Sequence, residues 1–279
     1  MTRSAGTPEA RGERPSAPGG IDTSIPSVAR IYDYVLGGKE NFESDRAAAR
    51  GLLRTLPEAA QPARENRLFL RRAVRHLVAE AGIRQILDIG SGLPTEGNVH
   101  ETAHAIDPSV RVVYVDIDPI VLAHGRALLG RSPNTTVVTG DVRDPEAIFS
   151  DPEVLDLIDP ARPFAILLAG VLHHLPDSDD PVGVVDDLVA RLPAGGHLLI
   201  SSFLGGDHPR WRELEQAFRQ GRISAARFRT WPELRRFFRG LEMVEPGLVH
   251  VNDWRPDAAT PTGSAVHTLH VAGIGRKPG

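Results

Sequence analysis

Two glycines beside an acid form the first feature of this sequence that could bind a ligand. Gly90 and Gly92, with Ser91 between them, follow Asp88 at the end of an apolar run. Glycines allow the backbone to turn sharply and to approach a ligand closely. A dinucleotide site of the G-x-G-x-x-G type needs a third glycine where this chain has Thr95, so the diphosphate-binding form is incomplete. A carboxylate at this turn suits a ligand with an ammonium or sulfonium group, although a tight turn without a ligand would give the same motif.

Two further acids follow the next two predicted strands. Asp116 ends the second strand, where a carboxylate can accept hydrogen bonds from both hydroxyls of a ribose. Asp118 is a ready-made N-cap for the following helix, so the ribose role is assigned to Asp116. The intervening Ile117 could pack on an adenine ring. After the third strand, Asp141 could accept a hydrogen bond from an adenine amino group while the backbone N–H of Val142 reaches a ring nitrogen.

The segment after the fourth predicted strand carries the candidates for catalysis. It begins at Gly170, which is assigned to the same ligand site, and continues to His173 and His174. An imidazole titrates near neutral pH, so either histidine could act as a general base on a nucleophile that must lose a proton. In the alternative interpretation, one histidine packs beneath the sheet edge and the other fixes a loop. A metal site with Asp177 is not expected, because adjacent histidines rarely converge on one ion.

A polar and aromatic block near the N-terminus could form a lid over the ligand. Tyr32, Tyr34, Lys39 and Asn41 lie in it, and the glycine pair at 37–38 marks a break between two helices. Two residues that are two apart cannot share one helix face, so at most one tyrosine should point inward. A lid that contacts ligand and simple helix packing are both consistent with this block.

Alternating strands and helices must position these residues. Each apolar run is followed by a helical segment, and several of these helices open with an Asp-Pro pair that supplies an N-cap and a first-turn proline. The alternation predicts βαβ units and a parallel sheet, which binds ligands beyond the carboxyl ends of its strands. Two late strands are expected to form an antiparallel pair at the sheet edge. The predicted strands are Gln85–Gly90, Val110–Asp118, Thr135–Thr139, Phe164–Gly170, His197–Phe203, Leu248–Val251 and Ala265–Ala272.

The chain divides into a tail and one predicted domain. Residues 1–20 are rich in Pro, Gly, Ser, Arg and Glu and predict a disordered tail. Residues 21–279 predict a single domain, with a helical cap over 21–81 and an α/β core over 82–279. One helix of the cap carries a stripe of arginines that is either a solvated face or the wall of an anionic ligand site: Arg64, Arg67, Arg71 and Arg75.

Composition narrows the possible partners and locations. The formal net charge is −4, and the chain has neither a basic tail nor an appended RNA module, which argues against a nucleic-acid partner. The absence of cysteine excludes disulfides, thiolate nucleophiles, zinc ribbons and iron–sulfur clusters. No signal-peptide pattern is present, and the longest apolar run is shorter than the ~20 residues that span a bilayer. We therefore expect a cytoplasmic protein without a membrane partner; its oligomeric state is left open.

These motifs carry a family resemblance. The segments ILDIGSG, YVDIDP, GDV and LPAGG, in this order, resemble class I S-adenosylmethionine-dependent methyltransferases. The blocks IDTSIPSVARIYDYVLGGKENFESDRAAA, RENRLFLRRAV and VNDWRPD are similar to an actinobacterial group of S-adenosyl methyltransferases that was formerly a domain of unknown function. The resemblance implies a Rossmann-like, seven-stranded methyltransferase sheet with helices on both faces, and S-adenosylmethionine as cofactor. It implies no particular acceptor.

Methyl transfer to an unidentified small-molecule acceptor is the leading hypothesis from the sequence. A non-catalytic protein that binds S-adenosylmethionine or S-adenosylhomocysteine for regulation is the first alternative. A nicotinamide-dependent oxidoreductase is the second, against which the missing third glycine and Asp88 both count.

Overall fold

The computed structural model describes residues 22–94, 97–129 and 132–279 of the chain. The tail predicted over residues 1–20 lies outside the described residues, as does Thr95 of the glycine motif. From Gln85 to Phe203, each strand is followed by one or two α-helices before the next strand begins, as the sequence pattern predicts.

An eight-stranded mixed sheet forms the centre of the protein, in the order β3-β2-β1-β4-β5-β8-β6, with β7 also paired to β8. Strands β1 to β5 are parallel, whereas β8 runs antiparallel to β5, β6 and β7. The strand order changes direction between β1 and β4, which makes the carboxyl ends of these two strands the place where a ligand crevice opens. The strands are β1 (Gln85–Ile89), β2 (Arg111–Asp116), β3 (Thr135–Thr139), β4 (Ala165–Ala169), β5 (His197–Phe203), β6 (Glu242–Met243), β7 (Val249–His250) and β8 (His270–Arg276).

The α/β class, the parallel core and the antiparallel C-terminal strands are confirmed, with two differences in detail. The sheet has one strand more than the expected seven, because the two-residue β6 pairs with β8. Both β6 residues are exposed, so they carry no alternating apolar pattern that could reveal a strand. The last strand begins at His270 rather than Ala265, because a 3₁₀ turn occupies His267–Leu269.

Helices cover both faces of the sheet, as predicted. The buried side chains of α3, α4 and α5 pack on one face, and those of α6, α7, α8 and α10 on the other. In the described part of the chain, no helix is both long and apolar enough to cross a membrane. The helices are α1 (Val28–Val35), α2 (Glu43–Thr55), α3 (Ala60–Ala79), α4 (Val99–His104), α5 (Pro119–Leu129), α6 (Pro145–Ser150), α7 (Pro152–Leu157), α8 (Pro181–Arg191), α9 (Trp211–Gln220) and α10 (Trp231–Arg236).

The Asp-Pro pairs begin the helices that follow the strand ends. Asp118 Oδ1 accepts from the N–H of Ile120 at 2.9 Å, and Asp144 Oδ1 accepts from the N–H of Ala147 at 3.0 Å. Asp180 caps α8 in the same way. A side-chain oxygen at this position satisfies one of the free N–H groups of the first helical turn, and the proline that follows has no N–H to satisfy. The turns between strands and helices are thereby fixed where the sequence places them.

The N-terminal cap consists of α1 and α2 and packs against α9. Its apolar side chains, among them Ile31 and Leu52, share a buried cluster with Leu214 and Phe218. The third helix, α3, which the sequence analysis counted with the cap, instead covers the sheet through a fully buried face that includes Phe69. The cap is therefore shorter than residues 21–81, and α3 is one layer of the core.

Candidate functional site

A cavity of about 900 Å³ opens at the carboxyl ends of the parallel strands. Its walls come from the strand ends, from α1, from the start of α3, and from the segments around residues 170–176 and 223–225. It brings together all the residues that the sequence analysis assigned to the cofactor and to catalysis, which are Asp88, Gly90, Ser91, Gly92, Asp116, Ile117, Asp141, Val142, Gly170, His173 and His174.

The two glycines after β1 serve different purposes. Both have positive φ, at +72° for Gly90 and +67° for Gly92, a conformation that only glycine adopts readily. A Cβ on Gly90 would lie 2.5 Å from Cγ2 of Val171, so the packing of the protein itself requires glycine there. A Cβ on Gly92 would meet no atom within 4 Å and would extend into open space. Gly92 therefore leaves room for a ligand to approach the backbone.

Asp116 is held in place by backbone N–H groups. Its Oδ2 accepts from Gly92 at 2.8 Å and its Oδ1 from Asp118 at 2.9 Å. Burial raises the pKa of this carboxyl, and the hydrogen bonds from Asp118, Gly92 and the N–H of Ile117 oppose that shift. The two carboxylate oxygens have four lone pairs between them, so the group can still accept from a hydroxyl. The arrangement suits a contact with the hydroxyls of a ribose.

Asp118 has a structural role, in agreement with its interpretation as an N-cap. In addition to capping α5, its Oδ2 accepts from Arg30 Nη1 at 3.3 Å and from the hydroxyl of Ser27. Arg30 Nε also donates to Asp45 at 2.9 Å, and Arg30 and Asp45 are both buried. Removing one partner from such a buried pair leaves an uncompensated charge, at a cost of about 3–5 kcal/mol. This network fastens α1 to the loop that follows Asp116.

Asp88 and Arg67 carry opposite charges and both line the cavity near the glycine turn. Asp88 is 4% exposed, and burial raises its pKa to about 7, with the Arg67 guanidinium opposing the shift and Asp116 adding to it. Cζ of Arg67 lies 5.7 Å from the centre of the Tyr32 ring. An acid and a base placed together in this way can bind a ligand that carries both an ammonium and a carboxylate group.

The arginine stripe of α3 lies partly on the cavity wall and partly on the solvated surface. Arg67 lines the cavity, whereas Arg75 forms an ion pair with Asp257 at the surface. The spacing of the stripe could not tell which arginine points inward, because that depends on how α3 sits against β1.

The end of the cavity near β3 combines an exposed apolar side chain with an ion pair. Ile117 is 60% exposed although it is large and apolar. Asp141 accepts from Arg143 through Nε at 2.9 Å and Nη2 at 2.5 Å, and these hydrogen bonds lower the pKa of its carboxyl. Nη1 of Arg143 also lies 3.4 Å from Oδ2 of Asp179. An incoming adenine amino group would therefore share the Asp141 carboxylate with Arg143, a residue that the sequence analysis did not single out.

The two histidines are neutral at pH 7 and differ in their surroundings. His173 is 3% exposed, and its Nδ1 accepts from the N–H of Phe203 at 3.3 Å. Burial, reinforced by His174, lowers the pKa of His173 well below its usual value. His174 is half-buried, its Nδ1 lies 2.8 Å from the Ser224 hydroxyl, and burial lowers its pKa to about 4. His173 is thus packed at the sheet edge and His174 is bound to a loop, as in the alternative interpretation, while both also line the cavity.

Only one of the predicted lid residues reaches the cavity. Tyr32 lines it and donates its hydroxyl to the carbonyl of Ala63 at 2.8 Å. Tyr34 packs inside the cap, Lys39 is exposed, and Asn41 is buried with Nδ2 donating to Asp33 at 2.8 Å. These three residues do not occur among the described lining residues, so placing them in the lid is corrected: the helix and the loop after it carry them away from the ligand space.

Several lining residues had no motif to reveal them. Asn66 lies beside the end of β4, where its Oδ1 accepts from Ser201 at 2.6 Å. Phe203, Phe218 and His270 line the far side of the cavity. They come from β5, α9 and β8, which are widely separated in sequence, and no short spacing pattern joins them.

The comparisons with known proteins agree with this geometry. The profile of the S-adenosyl methyltransferase family matches residues 14–278. A crystal structure from Thermobifida fusca, of a protein assigned as a methyltransferase, shares 47% sequence identity over 94% of this chain and 98% of its own, with a TM-score of 0.89. A DUF574 family protein from Streptomyces avermitilis shares 41% identity over 92% and 99% of the two chains, with a TM-score of 0.88. No curated protein sequence matches this chain.

Proposed function

The chain belongs to the S-adenosyl methyltransferase family, and we propose that it methylates a small molecule that shares the 900 Å³ cavity with S-adenosylmethionine. The observation that carries the proposal is the continuity of this cavity from Asp116 and Ile117 to His173 and His174. Its volume lies near the upper end of the roughly 300–1,000 Å³ range of small-ligand pockets, which leaves room for a second ligand.

The residues at the strand ends fit each part of the cofactor. The Asp116 carboxylate suits the ribose hydroxyls, and the exposed side chain of Ile117 offers an apolar surface to the adenine ring. Asp88 suits the ammonium group of the methionine moiety, and Arg67 suits its carboxylate. The open space at Gly92 allows the ligand to contact the backbone. This fit, together with the family, argues against the nicotinamide-dependent alternative.

When bound beside Asp116 and Asp88, S-adenosylmethionine would supply an electrophilic methyl group on a positively charged sulfur, and an oxygen or nitrogen acceptor would have to give up a proton. The protein contributes mainly by aligning the two ligands, since proximity and orientation dominate such displacements. His174 is the better candidate to receive the proton. Nδ1 of each histidine is already hydrogen-bonded, to Ser224 in His174 and to Phe203 in His173, but His174 is half-buried whereas His173 is 3% exposed, so Nε2 of His174 is the more accessible nitrogen.

Calorimetry with S-adenosylmethionine and S-adenosylhomocysteine tests the cofactor assignment. We expect micromolar binding of both, weakened by ~1–3 kcal/mol in Asp116→Ala, the loss expected for hydrogen bonds to a charged acceptor. Asp156→Ala, which removes an exposed carboxylate from α7, is the matched control and should leave the affinity unchanged. No binding of either ligand to the folded wild-type protein would overturn the proposed site.

A transfer assay on a panel of small molecules tests the acceptor class. Methyl-labelled S-adenosylmethionine should give a labelled product with at least one small oxygen or nitrogen nucleophile. The His174→Gln variant should show a lower kcat with little change in KM. Label that appears only in protein or nucleic acid would contradict a small-molecule acceptor. Equal turnover in His174→Gln and wild type would leave alignment alone as the source of catalysis.

A further inference from the structure

Charged side chains are confined to one end of the cavity. We name this part the cofactor end; its acids and arginines are Asp22, Arg30, Arg67, Asp88, Asp116, Asp118, Asp141, Arg143 and Asp179. We name the opposite part the aromatic end. Its described lining residues include no acid, lysine or arginine, and they are Ile31, Val35, Leu52, Ala59, Pro62, His173, His174, Phe203, Phe218, Ile223, Ser224, Ala225 and His270.

Flat rings form much of the wall at the aromatic end. Phe203 is stacked between Phe228 and His270, with ring centroids 4.7 and 5.0 Å away and interplanar angles of 23° in both pairs. Phe218 meets Phe203 edge-on at 5.9 Å, and His173 does so at 4.6 Å. Ring walls of this kind favour a planar aromatic guest, which can add stacked or edge-to-face contacts to its apolar burial.

A buried imidazole at this end has an unsatisfied nitrogen. His270 is 3% exposed, and burial lowers its pKa to about 3, so the ring is neutral at pH 7. Neither of its nitrogens makes a well-formed hydrogen bond, and the nearby Pro62 carbonyl could satisfy only one of them. Buried polar atoms are rarely left without a partner, so a ligand group is the natural complement. The Ser224 hydroxyl, bound to His174, lies at the same end.

We infer that the methyl acceptor is an uncharged small molecule built on a planar aromatic ring, held at the aromatic end with a hydroxyl or amino group directed to His270 and to the His174–Ser224 pair. This inference rests on the proposed function and adds the substrate class to it. An anionic acceptor would have to bury its charge with no counter-charge among the side chains that line this end, which costs several kcal/mol. The neutral rings of the wall carry no charge that could offset this desolvation cost.

Binding of two matched probes to the protein saturated with S-adenosylhomocysteine tests the inference. The probes are 2-naphthol and 6-hydroxy-2-naphthoate, which share the ring and the hydroxyl and differ by one carboxylate. Fluorescence titration at neutral pH should show 2-naphthol bound at least about tenfold more tightly, since an unpaired buried charge costs more than the ~1.4 kcal/mol that this ratio represents. Equal or tighter binding of the naphthoate, or no binding of 2-naphthol up to its solubility limit, would overturn the inference.

Two variants locate the probe at this end. Ala225→Lys adds a cation at an exposed lining position and should reverse the preference in favour of the naphthoate, whereas Leu155→Lys on the exposed surface of α7 should not. Phe218→Leu removes an aromatic wall and should weaken 2-naphthol about 3- to 10-fold without changing the affinity for S-adenosylhomocysteine. An unchanged preference in folded Ala225→Lys together with unchanged binding in Phe218→Leu would place the probe elsewhere and contradict the inference.

The same samples separate this inference from the proposed function. Calorimetry first measures S-adenosylhomocysteine binding in each variant. If the cofactor product binds and the naphthoate is preferred, only the substrate class is wrong. If the cofactor product does not bind, the proposed function fails before any acceptor is considered.

Discussion

The two ends of the cavity are built in different ways. At the cofactor end, the wall consists of backbone turns and carboxylates that stand at or directly after the ends of β1, β2 and β3, such as Gly92 and Asp116. At the aromatic end, the wall consists of side chains from the cap, α9, β5 and β8, which only the folded chain brings together. The first end depends on the geometry that every parallel sheet of this order provides, and the second depends on how the segments around the sheet pack in this protein.

The difference shows why the ligand shared by a whole family is easier to infer than the ligand that distinguishes its members. The carboxyl ends of neighbouring parallel strands always meet at one edge, so residues there converge regardless of the surrounding loops. A pocket made by a cap and by late strands has no such rule. Substitutions at the two ends should therefore have separable effects, on cofactor affinity and on acceptor binding respectively.

The largest effect should come from the scaffold of the cofactor end. Gly90→Ala combines positive φ with a contact of 2.5 Å to Val171, and we expect a loss of about 2–5 kcal/mol in the free energy of unfolding. Gly92→Ala has a similar φ but no neighbour within 4 Å, so it should lose only about 1–2 kcal/mol. Thermal and denaturant unfolding measure both. Gly92→Ala should nevertheless weaken cofactor binding, and unaltered binding would show that the ligand does not approach this turn.

Arg67→Gln should have the next largest effect, on affinity rather than stability. We expect a loss of about 1.5–3 kcal/mol in binding of S-adenosylhomocysteine, since the substitution removes a charged partner of its carboxylate. Arg64→Gln removes an exposed arginine from the same helix and is the matched control. Calorimetry on both variants separates the ligand wall from the solvated face of the stripe. Equal losses in the two would indicate a general effect of charge and remove the distinction between the arginines.

Asp88 should make cofactor affinity depend on pH. Because burial raises its pKa to about 7, the ligand-free carboxyl gains a proton as pH falls through this value and then pairs poorly with an ammonium. We expect affinity for S-adenosylhomocysteine to fall by about tenfold per pH unit from about pH 7 to about pH 5.5. Asp88→Asn should bind more weakly at pH 7 and lose this dependence; an equally steep profile in the variant would assign the proton to another group.

The same shift predicts the sign of a stability change. The folded protein holds the Asp88 proton more tightly than the unfolded chain, so this contribution to stability is fully present below about pH 4 and is lost as pH rises through about 7. The free energy of unfolding of wild type relative to Asp88→Asn should therefore decrease across this range, as measured by denaturant titration.

The smallest effect should come from Ile117. Ile117→Ser removes the apolar surface offered to adenine. We expect S-adenosylhomocysteine to bind about 3- to 5-fold more weakly, which corresponds to the burial of roughly one methylene group. Stability should hardly change because the side chain is 60% exposed. Leu128→Ser, at a side chain that is 68% exposed on α5 outside the lining residues, is the control. A similar loss of affinity in both variants would show that Ile117 is not exposed in order to pack on adenine.

The sequence predicted the central sheet and the positions of the cofactor residues closely. Thr135–Thr139 and His197–Phe203 are strands with the expected bounds, because each is a run rich in β-branched or apolar residues that is bounded by turn residues. Asp116 could be separated from Asp118 by capping chemistry alone. The assigned roles of these residues in binding stay predictions until ligand is measured.

The aromatic end could not be predicted, for a physical reason. Phe218 lies on an amphipathic helix whose apolar face could have packed on any layer, and His270 lies in a strand whose start was placed five residues too early. Asn41 shows the opposite error, since its polar side chain satisfies a buried carboxylate inside the cap rather than a ligand. Side chains that converge only through tertiary packing leave no periodic or local signal.

The attachment of α1 to Asp118 connects the two ends of the cavity. Arg30 joins this helix to the loop whose N–H groups hold Asp116, and the next residue, Ile31, lines the aromatic end. A guest that moved α1 at one end would therefore also move the loop that holds Asp116 at the other. Any such coupling is reciprocal, so each guest would change the affinity for the other by the same factor. The size of that factor would be set by one short helix and its buried arginine.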